Sequence, residues 1–450
     1  MILTTILIGF YFVFLFYINH KKCNGLDPFS GLLFGVFYFI YCPTLILNLV
    51  NTIALPLEKG AFGYWSEVNL DALGMKRSLI IIQVLLFEFL VVAHICVKTM
   101  SLQSEAVPAK VVKISSVFRT SVWVLMVSTT IQIFVEGGII QFFTNHWYSR
   151  HDIHYSNFGS SYVLLIRLLD ANSAIITASS ALLIVQIAGR IIGFLEACGI
   201  VVLIIISQVV LVVITGNRIY TVILLIASIS ALLAARRYFL ISILLASYPI
   251  IMFFGNIWAR IRGDLLSIIE RFDSFRNELP SGISIIIESL FDGFEGVNVL
   301  LLFHIIDDFG EKIDFFFGES YLRVFVFFVP REVLPTRMEP LTHVFANIYE
   351  PGQNTSFSAT MLGEVYSNFG AGSFIVVPLI TFSIFCFGSY LRRTGLIFHS
   401  ALGFLFVFWI TRSVFADNAI QFMLCMVLLR VFKYEKYEKN GYGSAVFNKL

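Results

Sequence analysis

Apolar residues run unbroken for about 20 positions at a time along most of this chain. The runs do not alternate with polar residues. They fall near 2–18, 29–56, 78–97, 117–135, 170–189, 193–215, 219–235, 238–257, 373–391, 396–411 and 416–432. A helix of about 20 residues spans the hydrocarbon core of a bilayer, whereas barrel strands are about ten residues of alternating pattern. The pattern predicts an all-α polytopic integral membrane protein with about 11 transmembrane helices (10–12) in a single domain over 1–450. The first run, Ile2 to Ile18, has neither a basic segment before it nor a small-residue cleavage site after it, and reads as a retained helix.

Composition agrees with the pattern. Hydrophobic residues make up 58% of 450 positions and charged residues 13%, against about 25% charge in a soluble domain. Net charge is +2, which excludes the basic excess of a nucleic-acid binder. Cys23, Cys42, Cys96, Cys198, Cys386 and Cys425 lie in or beside apolar runs without a CxxC, so they read as small buried hydrophobes.

Charge placement gives an orientation. Lys21-Lys22, the 98–119 segment, Arg190, Arg236-Arg237, Arg392-Arg393 and the 433–450 tail fall on one side under strict alternation. Basic residues in short loops mark the cytoplasm, which puts the N-terminus outside and the C-terminus inside. The opposite side carries twelve Arg and three Lys, against seven Arg and nine Lys inside. Arg binds phosphate and carboxylate bidentately and keeps its charge, so the outer face points to an anionic ligand.

Two outer segments exceed ordinary connectors. In 136–170, Tyr162 to Asp170 is apolar but interrupted by charge, and is expected to lie along the interface. Segment 258–372 is too long to be structureless. Its stretch Gly282 to Phe309 holds Glu288, Asp292, Glu295, Asp307 and Asp308, which argues against a span and for amphipathic helices over the membrane mouth. Tyr321 to Val329 reads as a short re-entrant or interfacial helix. Three prolines in Pro330-Arg-Glu-Val-Leu-Pro-Thr-Arg-Met-Glu-Pro340 preclude a continuous helix. Arg331 and Arg337 are therefore expected on rigid irregular backbone, which membranes tolerate where it is buried or lines a cavity. Thr215-Gly-Asn-Arg-Ile-Tyr220 joins two spans almost without a loop and fixes Arg218 at the outer mouth.

These pieces, with Leu362-Gly-Glu-Val-Tyr-Ser-Asn-Phe-Gly370 before the last spans and Gly137-Gly138 followed by Trp147-Tyr-Ser-Arg150, resemble Wzy-type O-antigen (oligosaccharide repeat-unit) polymerases. The likeness covers the order of elements across most of the chain, through short motifs. Some members carry Arg-x10-Gly in both major outer loops; here Arg271 to Gly282 fits, while Gly159 follows Arg150 too early.

The resemblance implies a GT-C-like, inverting, lipid-dependent glycosyltransferase of the bacterial inner membrane, working at the periplasmic face. It would move a growing glycan from undecaprenyl pyrophosphate to the non-reducing-end sugar of another lipid-linked unit, with no cofactor and no metal. A Wzz-type chain-length regulator is an implied partner. Departure of a pyrophosphate needs preorganised cations in a water-poor site, and the acceptor hydroxyl needs a base. Arg218, Arg331 and Arg337, with Arg150 and Arg167, are the pyrophosphate candidates. Glu339, His343 and Glu364 are the base candidates.

Each has a plainer alternative. Glu339 can pair with Arg337, His343 can be a satisfied interfacial histidine, Glu364 can pack on a helix N-terminus, and Arg167 and Asp170 can neutralise each other. His146, His151 and His154 lack the spacing for one helical face and a completing carboxylate pair, so no metal site is expected. Two rival functions stay open. A flippase or exporter of lipid-linked glycans calls for charge in mid-span, where Arg167, Asp170 and Glu196 are the few candidates; an O-antigen ligase shares donor and architecture.

Overall fold

The computed structural model describes residues 2–22, 25–53, 73–99, 114–135, 138, 159–188, 192–215, 219–234, 236–248, 294–326, 329, 333–334, 338–349, 351, 357–393 and 397–431. Among them the chain is helical almost throughout. Seven helices are long and apolar enough to cross a membrane: Ile2–Asn19, Pro28–Val50, Lys76–Thr99, Ile114–Phe134, Leu168–Ala188, Phe194–Val212 and Met361–Arg393. Four apolar helices are shorter: Ile219–Leu233, Tyr238–Tyr248, Phe398–Arg412 and Asn418–Arg430. The protein is an all-α, multi-pass membrane protein.

The N-terminal elements are α1 (Ile2–Lys22), α2 (Pro28–Val36) and α3 (Cys42–Ile53), the last two joined by a π turn over Phe37–Tyr41. Then come α4 (Leu73–Thr99), α5 (Ile114–Val135), α6 (Gly159–Ala188), α7 (Phe194–Thr215) and α8 (Ile219–Ala234), with α9 at Tyr238–Tyr248. The segment after α9 contributes four short helices, α10 (Val297–Asp308), α11 (Glu319–Val326), α12 (Leu341–Tyr349) and α13 (Met361–Phe369). The chain closes with α14 (Ser373–Arg393), α15 (Ile397–Arg412) and α16 (Phe415–Val431).

Backbone contact organises the centre. A Cβ on Gly31 of α2 would meet the Phe404 carbonyl oxygen of α15 at 2.4 Å, and one on Gly35 would meet Thr411 Oγ1 at 2.0 Å. These glycines sit four apart on one helical face. They form the small-xxx-small arrangement by which membrane helices approach closely. Moving from Gly31 to Gly35 matches moving from Phe404 to Thr411, so α2 and α15 run in the same direction. Just beyond, the Phe39 and Phe408 rings lie 5.0 Å apart.

The end where α2 begins is closed by Asp27. This fully buried carboxylate caps α2 through Phe29 N–H (2.9 Å) and Ser30 N–H (3.2 Å), and accepts from Ser30 Oγ at 2.9 Å. Arg392, at the end of α14, pairs with it at 3.2 Å. A half-exposed pair, Arg119–Glu196, joins the starts of α5 and α7.

At the opposite end, the segment following α9 enters the bundle. Two differences from the sequence expectation emerge. Gly282–Phe309 was expected to form amphipathic helices lying over the mouth. Instead, of its described part, α10 is buried at Asn298, Val299, Leu300, Leu301, Leu302, Phe303, Ile305 and Ile306, which covers every face. The carboxylates fall at its two ends, Glu295 before it and Asp307-Asp308 at its close, so the helix body is apolar except for Asn298 and His304 and packs like core. Tyr162–Asp170, expected to lie along the interface, is the opening of the continuous 30-residue helix α6. No Pro or Gly interrupts α6 after Gly159, and Asp170 finds partners within the bundle: Tyr220 donates to its side chain at 3.5 Å and Gln421 to its carbonyl at 3.0 Å. Helix α11, by contrast, is short, with Leu322 and Phe325 exposed.

Candidate functional site

The polar side chains of this segment converge on the tip between α15 and α16. Leu362-Gly-Glu-Val-Tyr-Ser-Asn-Phe-Gly370 folds as α13. Thr360 caps it, accepting from Gly363 N–H at 3.3 Å. Gly370 ends it with φ +52, and a Cβ there would strike the Phe315 ring at 2.5 Å. Left-handed backbone with no room for a side chain explains that glycine. Along α13, Met361 to Asn368 are all buried.

Glu364 is 1% exposed. Its Oε1 accepts from Ser320 Oγ at 2.9 Å and its Oε2 from Phe415 N–H at 2.7 Å. Asn368 Nδ2 donates to Ser320 Oγ (2.9 Å) and to the Glu364 carbonyl (2.7 Å), while its Oδ1 accepts from Gly318 N–H at 3.0 Å. The carboxylate thus holds the N-terminus of α16, where negative charge meets unsatisfied N–H groups and the helix dipole. The same network clamps α11 to α13. Tyr321 stacks on Phe369 at 6.0 Å. Burial, reinforced by the Glu364 charge, holds its phenol well above the ordinary value, so this hydroxyl stays protonated.

The second charged element is Arg412, the last residue of α15, whose Nε donates to Glu295 Oε2. Asn298 Nδ2 donates to the same oxygen at 3.1 Å. Arg412 and Glu295 are 18% and 16% exposed. Glu295 adopts φ 52; left-handed backbone costs a non-glycine residue roughly 1 kcal/mol or more. Gly296 follows it, so the strained position carries a carboxylate although glycine stands next door. Aromatic rings line the surroundings. Tyr38 of the π turn packs on Phe294 at 4.9 Å and shares a 3.0 Å hydrogen bond with Tyr248. Trp409, one turn before Arg412, meets Tyr220 at 5.1 Å.

Among the residues singled out from the sequence, Arg150, Arg218, Arg331 and Arg337 lie outside the described residues, as do His146, His151 and His154. Arg167 falls in the opening third of α6. From the 215–220 motif, Tyr220 is buried and reaches both Trp409 and Asp170. Glu339 and His343 lie at the start of α12, whose Phe345 and Tyr349 pack on Phe309 and His304. Those contacts are at the far end of α10 from Glu295, so the structure draws Glu364 towards the α15–α16 tip and leaves Glu339 and His343 at the other end of that helix. Glu196, a candidate mid-span charge, sits in the first turn of α7.

Sequence reasoning passed over Arg412 because it lies one residue beyond an apolar run, where a basic residue reads as a span boundary. It counted Glu295 only as one of five carboxylates. Nothing local joins residues 117 apart. Glu88, halfway along α4, was also missed; its Oε2 is buried with no partner among the described residues. No group of three metal-ligating side chains occurs among the described residues. Compared with known proteins, the chain matches no family model, no curated protein and no solved structure.

Proposed function

We propose that this protein polymerises undecaprenyl-pyrophosphate-linked oligosaccharide repeat units, passing the growing glycan from its lipid pyrophosphate to the non-reducing-end sugar of a second lipid-linked unit. One observation carries the reading. The motif that most favours a polymerase, 362–370, forms a buried polar helix, and its Glu364 secures the α15–α16 tip that ends in an arginine. A water-poor pocket with a fixed cation is what departure of a diphosphate calls for. In this reading the chain crosses a bacterial inner membrane eleven times in a GT-C-like arrangement, with the N-terminus periplasmic and the C-terminus cytoplasmic. The site opens to the periplasm. Arg218, Arg331 and Arg337, with Arg150 and Arg167 in support, bind the pyrophosphate. Glu339 or His343 takes the acceptor proton. Glu364, with both oxygens engaged by the chain itself, fits a positioning role better. A Wzz-type regulator is the expected protein partner.

Reconstitution tests this. Purified protein mixed with lipid-linked repeat units should yield a ladder of longer glycans without nucleotide or metal. Arg218→Ala and Arg337→Ala should lower the yield about a hundredfold or more, the scale of losing a transition-state charge contact. Normal ladders from both variants would remove the pyrophosphate assignment. Unchanged rates in Glu339→Gln and His343→Gln would discard both as base.

Glu88 supports a second reading, the flippase. A mid-span carboxylate is rare and usually functional, and transporters bind near the midplane. Under that reading the liposomes would move lipid-linked units across the bilayer without lengthening them, and Glu88→Gln would stop the movement. An O-antigen ligase would instead consume a lipid A core acceptor.

A further inference from the structure

Three facts about Arg412 combine. The first is depth. Helix α15 runs beside α2 in the same direction, and Thr411 meets Gly35, seven residues into a helical run that extends from Pro28 to Ile53. At 1.5 Å per residue, Arg412 lies about 10–15 Å from the Asp27 end of a run about 39 Å long. From the other side, α10 descends from Ser78 and Arg77 at the start of α4, which meet Phe303 and Glu311, to Tyr38 and Arg412, which meet Phe294 and Glu295. The guanidinium is therefore well inside the bilayer, where a charge is costly and functional by default.

The second fact is valence. Arg offers five N–H donors in a planar fork. Among the described residues only its Nε–H is engaged, with Glu295. The two terminal amino groups, the pair that grips an oxyanion bidentately, have no described partner, and the side chain keeps 18% exposure. A purely structural ion pair at this depth calls for saturation of every donor. Asp27, where α2 begins, is saturated in that manner: it accepts from two backbone N–H groups and a serine hydroxyl besides Arg392.

The third fact is the counter-ion. Glu295 reaches Arg412 from a left-handed backbone conformation, strain of the sort that persists at sites where the surroundings hold it for use. It contributes one oxygen to Arg412, Oε2.

We propose that Arg412 is a membrane-embedded ligand for the diphosphate of a lipid carrier, and that Glu295 holds the anion's place until the lipid arrives and displaces it. This rests on the polymerase reading for the identity of the lipid, but the site itself is defined by the pair. Displacement relaxes the strained Glu295 and leaves a free carboxylate beside the bound diphosphate. The guanidinium faces an anion before and after the exchange, so it is never left as an unpaired buried cation.

Binding to full-length protein in nanodiscs tests it, with farnesyl diphosphate and inorganic pyrophosphate as probes. Farnesyl diphosphate should bind the wild type more tightly than pyrophosphate does. Arg412→Ala should weaken farnesyl diphosphate binding about tenfold or more, a 1.4 kcal/mol effect at the least, with Arg412→Lys in between. Glu295→Gln, which removes the competing charge, should tighten it several-fold. Glu295→Gln does not depend on the arginine variants folding, and a structural pair predicts no gain from it. Unchanged binding in Arg412→Ala, or weaker binding in Glu295→Gln, overturns the proposal; equal affinity for the two probes overturns the lipid assignment. Arg412-dependent binding without any glycan ladder would sink the polymerase reading and keep the site. A normal ladder from Arg412→Ala would do the reverse.

Discussion

His304 illustrates how much a single position can report. It sits in the second half of α10, its ring 5.9 Å from Tyr349, and burial lowers its pKa below the ordinary 6.5. Asp308 and then Asp307 oppose that shift and Lys312 adds to it, without reversing it. Lys312 itself is held by Asp308. In the unfolded chain the imidazole takes up a proton as pH falls through 6.5, while in the folded chain it resists. The unfolded state then binds more protons, so stability rises with pH across this window and falls on acidification. Thermal unfolding of wild type should shift down between pH 7 and pH 5, and His304→Phe should make that shift smaller. An unaltered pH dependence in the variant would mean the imidazole is not the sensor.

Between elements, the decisive contact is α2 on α15. The backbone approach at Gly31 leaves no volume for a side chain, because the obstacle is the Phe404 carbonyl rather than a rotatable group. Gly31→Val should therefore destabilise by about 3 kcal/mol, the upper part of the overpacking range. It should also disturb the α15–α16 tip, since Thr411 and Arg412 are carried by the same helix. Gly199, in the interior of α7, faces open space. Gly199→Ala should be neutral or stabilise by up to about 1 kcal/mol through helix propensity. Heating both variants in detergent and following the loss of monodisperse protein gives the comparison; equal behaviour would refute the close-contact account. The same logic explains α10, which is stabilised by burial on all sides and not by an amphipathic stripe.

For the molecule as a whole, two buried ion pairs at different depths differ in chemistry. The saturated Asp27–Arg392 pair seals one end of the bundle, and the strained, unsaturated Glu295–Arg412 pair lies deeper inside it. Reporter fusions should place positions 105, 191, 236 and 395 in the cytoplasm and positions 60, 145 and 340 outside. A reversed pattern would end the periplasmic reading.

What the chain's order of residues determined was the helical, membrane-embedded class and nearly all the helix positions, because lipid forces every backbone group to bond internally and so writes spans as apolar runs. It also marked 362–370 as polar where polarity is expensive. Tertiary structure alone decided that α10 is core, that α6 begins before its span, and that Arg412 meets Glu295. Those outcomes depend on which surfaces cover which, and on partners over a hundred residues apart, and no periodicity along the chain encodes either.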